Sequence, residues 1–227
     1  MSRDGDVAVV TGAGGGLGRA VVARLAADGW TVVAAERHPG RVAHPAGVVG
    51  VACDLDDPAQ VAALTGKVAA RGRWAAAVSC SGGYAGGKAH EIDDEEMLEQ
   101  LRLNLIGPWR LARTAAQAMV AGGGGRIVLT VGRAALDPAP GQAAYQVAKT
   151  GAARLVEVMA RELRDTGVTV NAVMPSTMDT PANRASMPNA DHSRWVPVDR
   201  VAAVVAWLLS ADADQVSGAA VPVYGRA

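Results

Sequence analysis

The chain contains no phenylalanine, only two cysteines and no net charge, and each shortage removes a class of protein. With 22 basic residues against 22 acidic ones, no whole-molecule field attracts nucleic acid or an anionic membrane, so any partner must be recognised locally. Cys53 and Cys80 cannot form a disulfide framework, and their spacing does not chelate zinc. A reducing compartment, the cytoplasm, and no metal are therefore expected. Apolar runs such as 201–209 are far short of a membrane span. The polar opening, Met1 to Asp6, reads as no signal peptide. Aromatic residues make up only 4% of the chain, so the core must be built from Ala, Val and Leu, which favours close helix-on-sheet packing.

What is abundant is small and apolar. Half of the residues are hydrophobic and 27 are glycine. A domain of this length buries about 70–75% of its unfolded surface, and one domain over 1–227 is expected. Short β-branched runs alternate with helical stretches, the rhythm of parallel strands joined by crossover helices. Strands are expected at 7–10, 31–35, 48–52, 75–78, 126–130, 168–173 and 219–223. Helices are expected at 17–27, from Asp57-Pro58 onward, at 92–120, 142–164 and 198–210. Asp93, Asp94, Glu95 and Glu96 stand where the helix dipole favours negative charge. The Gly107-Pro108 pair is expected to kink the first long helix, and 174–197 reads as an irregular loop. Buried runs without strict alternation suit an α/β, doubly wound, seven-stranded parallel sheet with helices on both faces, a Rossmann fold. Ligands of such sheets bind at the carboxyl ends of the strands.

After the first strand comes Thr11-Gly12-Ala13-Gly14-Gly15-Gly16-Leu17-Gly18. Glycines between a strand and a helix let the backbone turn sharply and approach a pyrophosphate, whose charge rests on the helix N-terminus. Eighteen residues beyond Gly18, Glu36 ends the second strand. A carboxylate there accepts hydrogen bonds from adenosine ribose hydroxyls and repels a 2′-phosphate. The turn resembles the Thr-Gly-x-x-x-Gly-x-Gly of the short-chain dehydrogenase/reductases, matched by Thr11, Gly12, Gly16 and Gly18. In NADP-using members of that family a basic residue near the position of Arg37 holds the phosphate. The resemblance thus implies NAD(H) as the preferred cofactor with NADP(H) possible, and gives Asp54-Leu55 as the adenine-contacting pair.

Tyr145 and Lys149 are four residues apart and share one helix face. A phenol titrates near pH ~10. A nearby ammonium lowers that value and makes tyrosine a usable general acid. Downstream of the glycine turn, the pair resembles the family's Tyr-x-x-x-Lys, and Asn104 falls where the family places an asparagine that supports a proton relay. The resemblance also implies cofactor contacts at Ser81, Gly82, Pro175, Thr177 and Thr180, the last holding the nicotinamide carboxamide.

Two departures stand out. The family's serine, about thirteen residues before the tyrosine, is here Gly132, and its Asn-Asn-Ala-Gly segment reads Ser79-Cys80-Ser81-Gly82. The run Ser81-Gly82-Gly83-Tyr84-Ala85-Gly86-Gly87, with Asp179-Thr180-Pro181 and Trp195 further on, resembles dihydropteridine reductases, which also lack the serine. That similarity implies hydride transfer from NAD(P)H to a C=N, quinonoid or carbonyl group of a small planar or cyclic substrate, with Tyr145 as proton donor. Tyr84, Gly132, Arg133, Met187 and Trp195 would line the substrate site. Three alternatives stay open: a ketoreductase or alcohol dehydrogenase acting on a specialised metabolite, a non-catalytic dinucleotide-binding protein, and a redox-neutral cyclase or lyase. His38, His44, His90 and His192 are expected in surface loops. The resemblance further implies a homodimer or homotetramer paired through 92–120 and 142–164.

Overall fold

A computed structural model describes residues 5–226; Ala227 and the first four residues of the polar opening, Met1 to Asp4, lie outside the described residues. Seven parallel strands form one sheet: β1 (Asp6–Thr11), β2 (Thr31–Glu36), β3 (Val48–Ala52), β4 (Arg73–Ser79), β5 (Gly125–Thr130), β6 (Val168–Pro175) and β9 (Ala220–Val223). Their order is β3-β2-β1-β4-β5-β6-β9, the doubly wound arrangement expected from the sequence. The chain reverses direction across the sheet between β1 and β4. That crevice lies at the carboxyl ends of both strands, where Thr11 is paired with Ser79.

Two apolar layers cover the sheet. On one face α2 (Pro58–Ala69), α4 (Gly107–Ala121) and α5 (Ala143–Glu162) pack Leu64, Leu111, Met119, Val156 and Met159 onto Val7, Val9 and Ile127. On the other, α1 (Gly16–Ala27) and α7 (Val198–Leu208) pack Val21, Leu25, Val201 and Val205 onto Ala8, Val10 and Val32. Each fully buried Val or Leu contributes about 1.5–3 kcal/mol relative to exposure. The missing phenylalanines are replaced by many small contacts of this kind.

Helix starts follow the chemistry of their caps. Asp57 accepts from the backbone N–H groups of Ala59 and Gln60, with Pro58 at the first helical position. Asp93 and Glu96 form a reciprocal capping box at α3 (Asp94–Leu101).

Two sequence expectations need correction. The stretch 92–120 is not one helix kinked at Gly107-Pro108: a π-helical segment, Arg102–Ile106, separates α3 from α4. Pro108 has no N–H to give the carbonyl four residues back, and the Gly107 N–H reaches back five residues to Arg102 instead, widening the turn. Nor is 174–197 irregular. It holds β7 (Met178–Asp179), α6 (Pro181–Ser186), a 3₁₀ turn at His192–Arg194 and β8 (Val196–Pro197). β7 and β8 pair in parallel, Thr180 caps α6 ahead of Pro181, and Arg184 grips both oxygens of Asp179 at 2.6 and 2.8 Å. No helix among the described residues is long and apolar enough to cross a membrane.

Candidate active site

The carboxyl ends of β1, β2, β4, β5 and β6 bring the sequence-selected residues to one edge of the sheet. The glycine turn sits between β1 and α1 as expected. The Gly15 N–H donates to Gly12 O at 3.0 Å, which closes the turn. Gly18 packs so closely that a Cβ there would run into the Gly12 carbonyl. At Gly16 a Cβ would stand 2.6 Å from the Thr180 methyl, so the turn and the loop after β6 face each other across a narrow gap. Leu17 is buried beneath the turn. The hydroxyls of Thr11 and Ser79, at the two strand ends flanking the crevice, are buried without a hydrogen-bond partner among the described residues. Small residues at close backbone approach and a helix N-terminus fit the diphosphate bridge of a dinucleotide.

Glu36 ends β2 as expected and is 8% exposed, while Arg37 is exposed. The surface placement of all the histidines does not hold. His44 is largely buried, with its Nε2 2.8 Å from Glu36 Oε1. Asp54 Oδ1 accepts from the Asp56 N–H, and the Leu55 carbonyl accepts from Arg110 at 2.8 Å. These contacts fix the turn after β3 beside the crevice.

At the centre, Asn104 lies in the π segment, 1% exposed. Its amide nitrogen donates to Gly83 O at 2.9 Å and to Gln100 Oε1 at 3.1 Å, and its oxygen accepts from the Gly83 N–H at 3.3 Å. Asn104 thus pins the loop after β4. Gln100, one α-helical turn before it and 3% exposed, is a supporting residue that the sequence reading missed; the i, i+4 spacing was the available signal. A Cβ at Gly82 would lie 2.8 Å from Asn104 Oδ1 and 3.4 Å from Lys149 Nζ, so Gly82 separates these two groups.

Tyr145 and Lys149 occupy successive turns of α5, with Lys149 buried. The Lys149 ammonium donates to Thr130 O at 3.0 Å, at the end of β5. Burial pulls it down to about 8. Tyr145 is not lowered by its lysine, as the sequence suggested; burial, with Tyr84 beside it, pushes the phenol above its ordinary value. The reason is geometric: the ammonium is turned toward the strand end, 5.7 Å from the ring centre. Tyr84 is 62% exposed and stands edge-on to Tyr145, with ring centres 5.2 Å apart and planes at 80°. Beneath them the Cys80 thiol, next to the Thr130 hydroxyl, is pushed by burial up to about 12 and stays protonated.

Gly132 faces this group: a Cβ built there would lie 3.7 Å from both Tyr145 Oη and Pro175 O. There is room for a side chain, but the backbone has φ +81 and ψ 159, a region essentially confined to glycine. The absent serine therefore belongs to a different local backbone path. Arg133 pairs with Asp137 and lies over the Tyr224 ring, with its guanidinium carbon 5.4 Å from the ring centre.

The loop after β6 is built from the remaining selected residues. Pro175 is buried in β6, and Thr177 O accepts from the Val196 N–H. Thr180 points its hydroxyl at the Asn183 N–H as the α6 cap and its methyl at Gly16. Met187 is 40% exposed, whereas Trp195 is 9% exposed and packs against His192, ring centres 4.3 Å apart. Trp195 stiffens the loop; of the expected substrate-lining side chains, Tyr84 and Met187 are the apolar ones that reach solvent. Among the described residues no cluster of His, Cys, Asp and Glu suits a metal ion.

Comparison with known proteins gives a consistent picture. The 3-oxoacyl-[acyl-carrier-protein] reductase MabA of Mycobacterium tuberculosis is 33% identical over 226 residues, covering 96% of this chain and 90% of that protein. Among solved structures, the 3-ketoacyl-(acyl-carrier-protein) reductase of Brucella melitensis complexed with NADH superimposes with a TM-score of 0.88 at 26% identity, covering 99% and 98% of the two chains. The actinorhodin polyketide ketoreductase with NADPH does so with a TM-score of 0.88 at 27% identity and the same coverage. These relatives are ketoreductases, and the narrower likeness to dihydropteridine reductases is not carried by them. Residues 6–191, from β1 through the glycine turn and the Tyr145-Lys149 pair to the loop after β6, match the short chain dehydrogenase family, and the chain belongs to it.

Proposed function

We propose that this protein reduces a carbonyl group on a small substrate, using a nicotinamide dinucleotide and Tyr145 as the proton donor. The observation that carries the reading is the placement of Tyr145: half-buried, one helical turn from Lys149 on α5, with its hydroxyl toward Gly132 beyond the end of β5. Lys149 and Asn104 flank Gly82 beneath it, and Tyr84 stands against its ring edge. The Thr11 to Gly18 turn would hold the diphosphate, Glu36 the adenosine ribose, and Thr180 would cover the turn from above. When bound, the dinucleotide supplies the hydride. The chain's own part is to orient the two reactants, exclude water and deliver the proton from Tyr145 Oη. Glu36 supports NAD(H) as the preferred cofactor, while the relatives' complexes with NADH and with NADPH keep both within the proposal.

Gly132 favours a second reading. A ketone develops negative charge on oxygen, and an oxyanion donor there is typically worth about 2.7–4 kcal/mol. Without a hydroxyl at 132, a conjugated or C=N substrate, already activated, demands less of the site. The assembly expected from the sequence, a dimer or tetramer paired through α4 and α5, belongs to the same proposal. It is supported by Trp109, Val120, Val147 and Val158, which those helices leave exposed. So do a small-molecule substrate as the partner and a cytoplasmic setting.

Titration of NADH and NADPH by fluorescence, followed by absorbance of the reduced nicotinamide with a 3-oxoacyl thioester, a cyclic imine and a quinonoid pterin, tests this. Oxidation with the thioester is expected. Oxidation with the imine or pterin alone selects the second reading, and tight binding with no oxidation by any of them overturns both.

A further inference from the structure

The Glu36 carboxylate, which the proposed function assigns to the adenosine ribose, already has a partner in His44. The two side chains are only 8% and 10% exposed, and His44 Nε2 lies 2.8 Å from Glu36 Oε1. The same carboxylate oxygen is 3.6 Å from where a Cβ on Gly14 would stand, and a Val42 methyl is 3.3 Å from that point. Segment 37–47 therefore folds over the adenosine end of the crevice, with His44 as its inward contact. The His44 ring also packs toward Gly50 on β3.

We propose that His44 sets which dinucleotide this chain accepts: its imidazole holds the Glu36 carboxylate, and gaining a proton converts an NADH-selective adenosine site into one that also takes NADPH. The inference rests on the dinucleotide reading of the glycine turn. With His44 neutral, the pair carries one negative charge and repels a 2′-phosphate, itself about −1.5 to −2 at neutral pH. With His44 protonated, the pair is neutral overall and its net repulsion of the phosphate is gone. Histidine is the side chain whose charge ordinarily changes between pH ~5 and ~8.

The surroundings add little that competes. On its own segment the neighbouring ionisable groups are Arg37, His38 and Arg41, all exposed. From the glycine turn side, Arg19 is the charged group, and its Nε is engaged by Gly14 O at 2.9 Å. β3 carries no ionisable side chain, and the Cys53 thiol beyond it is held by burial at about 11, neutral throughout this range.

The test is the ratio of NADPH to NADH dissociation constants, read by cofactor fluorescence at pH ~8.5 and ~6. Wild type is compared with His44→Ala, with His44→Gln, which keeps a neutral donor, and with Glu36→Gln; circular dichroism confirms that each is folded. The 2′-phosphate titrates on its own, and that contribution is common to every variant. In wild type, acidification should lower the ratio by about fivefold more than in either His44 variant, the size of a single charge contact. Glu36→Gln should bind both dinucleotides alike at either pH. Equal pH responses in wild type and both His44 variants, with binding intact, would overturn the inference alone. Failure of wild type to bind either dinucleotide at any pH would overturn the dinucleotide reading and this inference with it.

Discussion

The Lys149 ammonium lies 5.7 Å from the centre of the Tyr145 ring, yet its hydrogen bond goes to the Thr130 carbonyl at 3.0 Å. Its charge is therefore held at the end of β5, under the ring rather than at the phenol oxygen.

That placement sets opposite pH responses for activity and stability. Burial lowers Lys149 from 10.5 to about 8. As pH rises through about 8 the ammonium is lost in the folded protein and turnover should fall. Between about 8 and 10.5 the unfolded chain binds more protons at this residue than the folded one, so its contribution to stability increases with pH. Initial rates and urea midpoints across this window read the two trends. In Lys149→Met both should flatten, with rates low throughout.

Tyr145→Phe removes the proton donor and leaves the ring contact with Tyr84. Turnover should drop by about 10²–10⁴, the usual worth of a positioned acid. NADH affinity, measured by fluorescence, should change little. Unaltered turnover would remove the phenol from the chemistry.

Restoring the family's hydroxyl by Gly132→Ser should not improve the enzyme. The added Cβ meets nothing closer than 3.7 Å, so crowding is not the obstacle. The backbone is: φ +81 with ψ 159 costs a residue other than glycine about 1–3 kcal/mol. The variant should be less stable by that amount in urea unfolding, with no gain in turnover on a ketone. A more active and equally stable variant would mean that the segment relaxes freely.

Gly18→Ala probes the phosphate turn directly. Its methyl would strike the Gly12 carbonyl, so the turn has to open, at a cost of about 1–3 kcal/mol for overpacking. Loss of affinity for NADH and NADPH together is expected, since both share the diphosphate bridge.

Much of this was legible in the sequence, for reasons that differ by residue. The central strands were visible because both of their faces are buried, so runs such as Val7 to Val10 are continuously apolar. Asp57-Pro58 and Asp93 through Glu96 announced helix starts because caps are local chemistry. The glycine turn and the Tyr145-Lys149 pair were readable for the same reason. What escaped were consequences of long-range placement. The pairing of His44 with Glu36 depends on how segment 37–47 closes, and the direction of the Tyr145 shift depends on burial and on the carbonyl that Lys149 finds. Gly132 was seen as a missing hydroxyl, whereas its φ and ψ, which no single residue type reveals, show a redirected backbone.

The widened turn at Arg102–Ile106 has an implication for how this helix tolerates change in length. A π segment accommodates one residue more than the α-helix on either side requires, so it is a point where the chain can lose a residue without shifting the packed faces of α3 and α4. A single deletion within 102–106 should therefore leave a folded protein with a continuous helix. It would also rotate Asn104 away from Gly83 and free the loop after β4, which separates what the insertion does for architecture from what it does for the site.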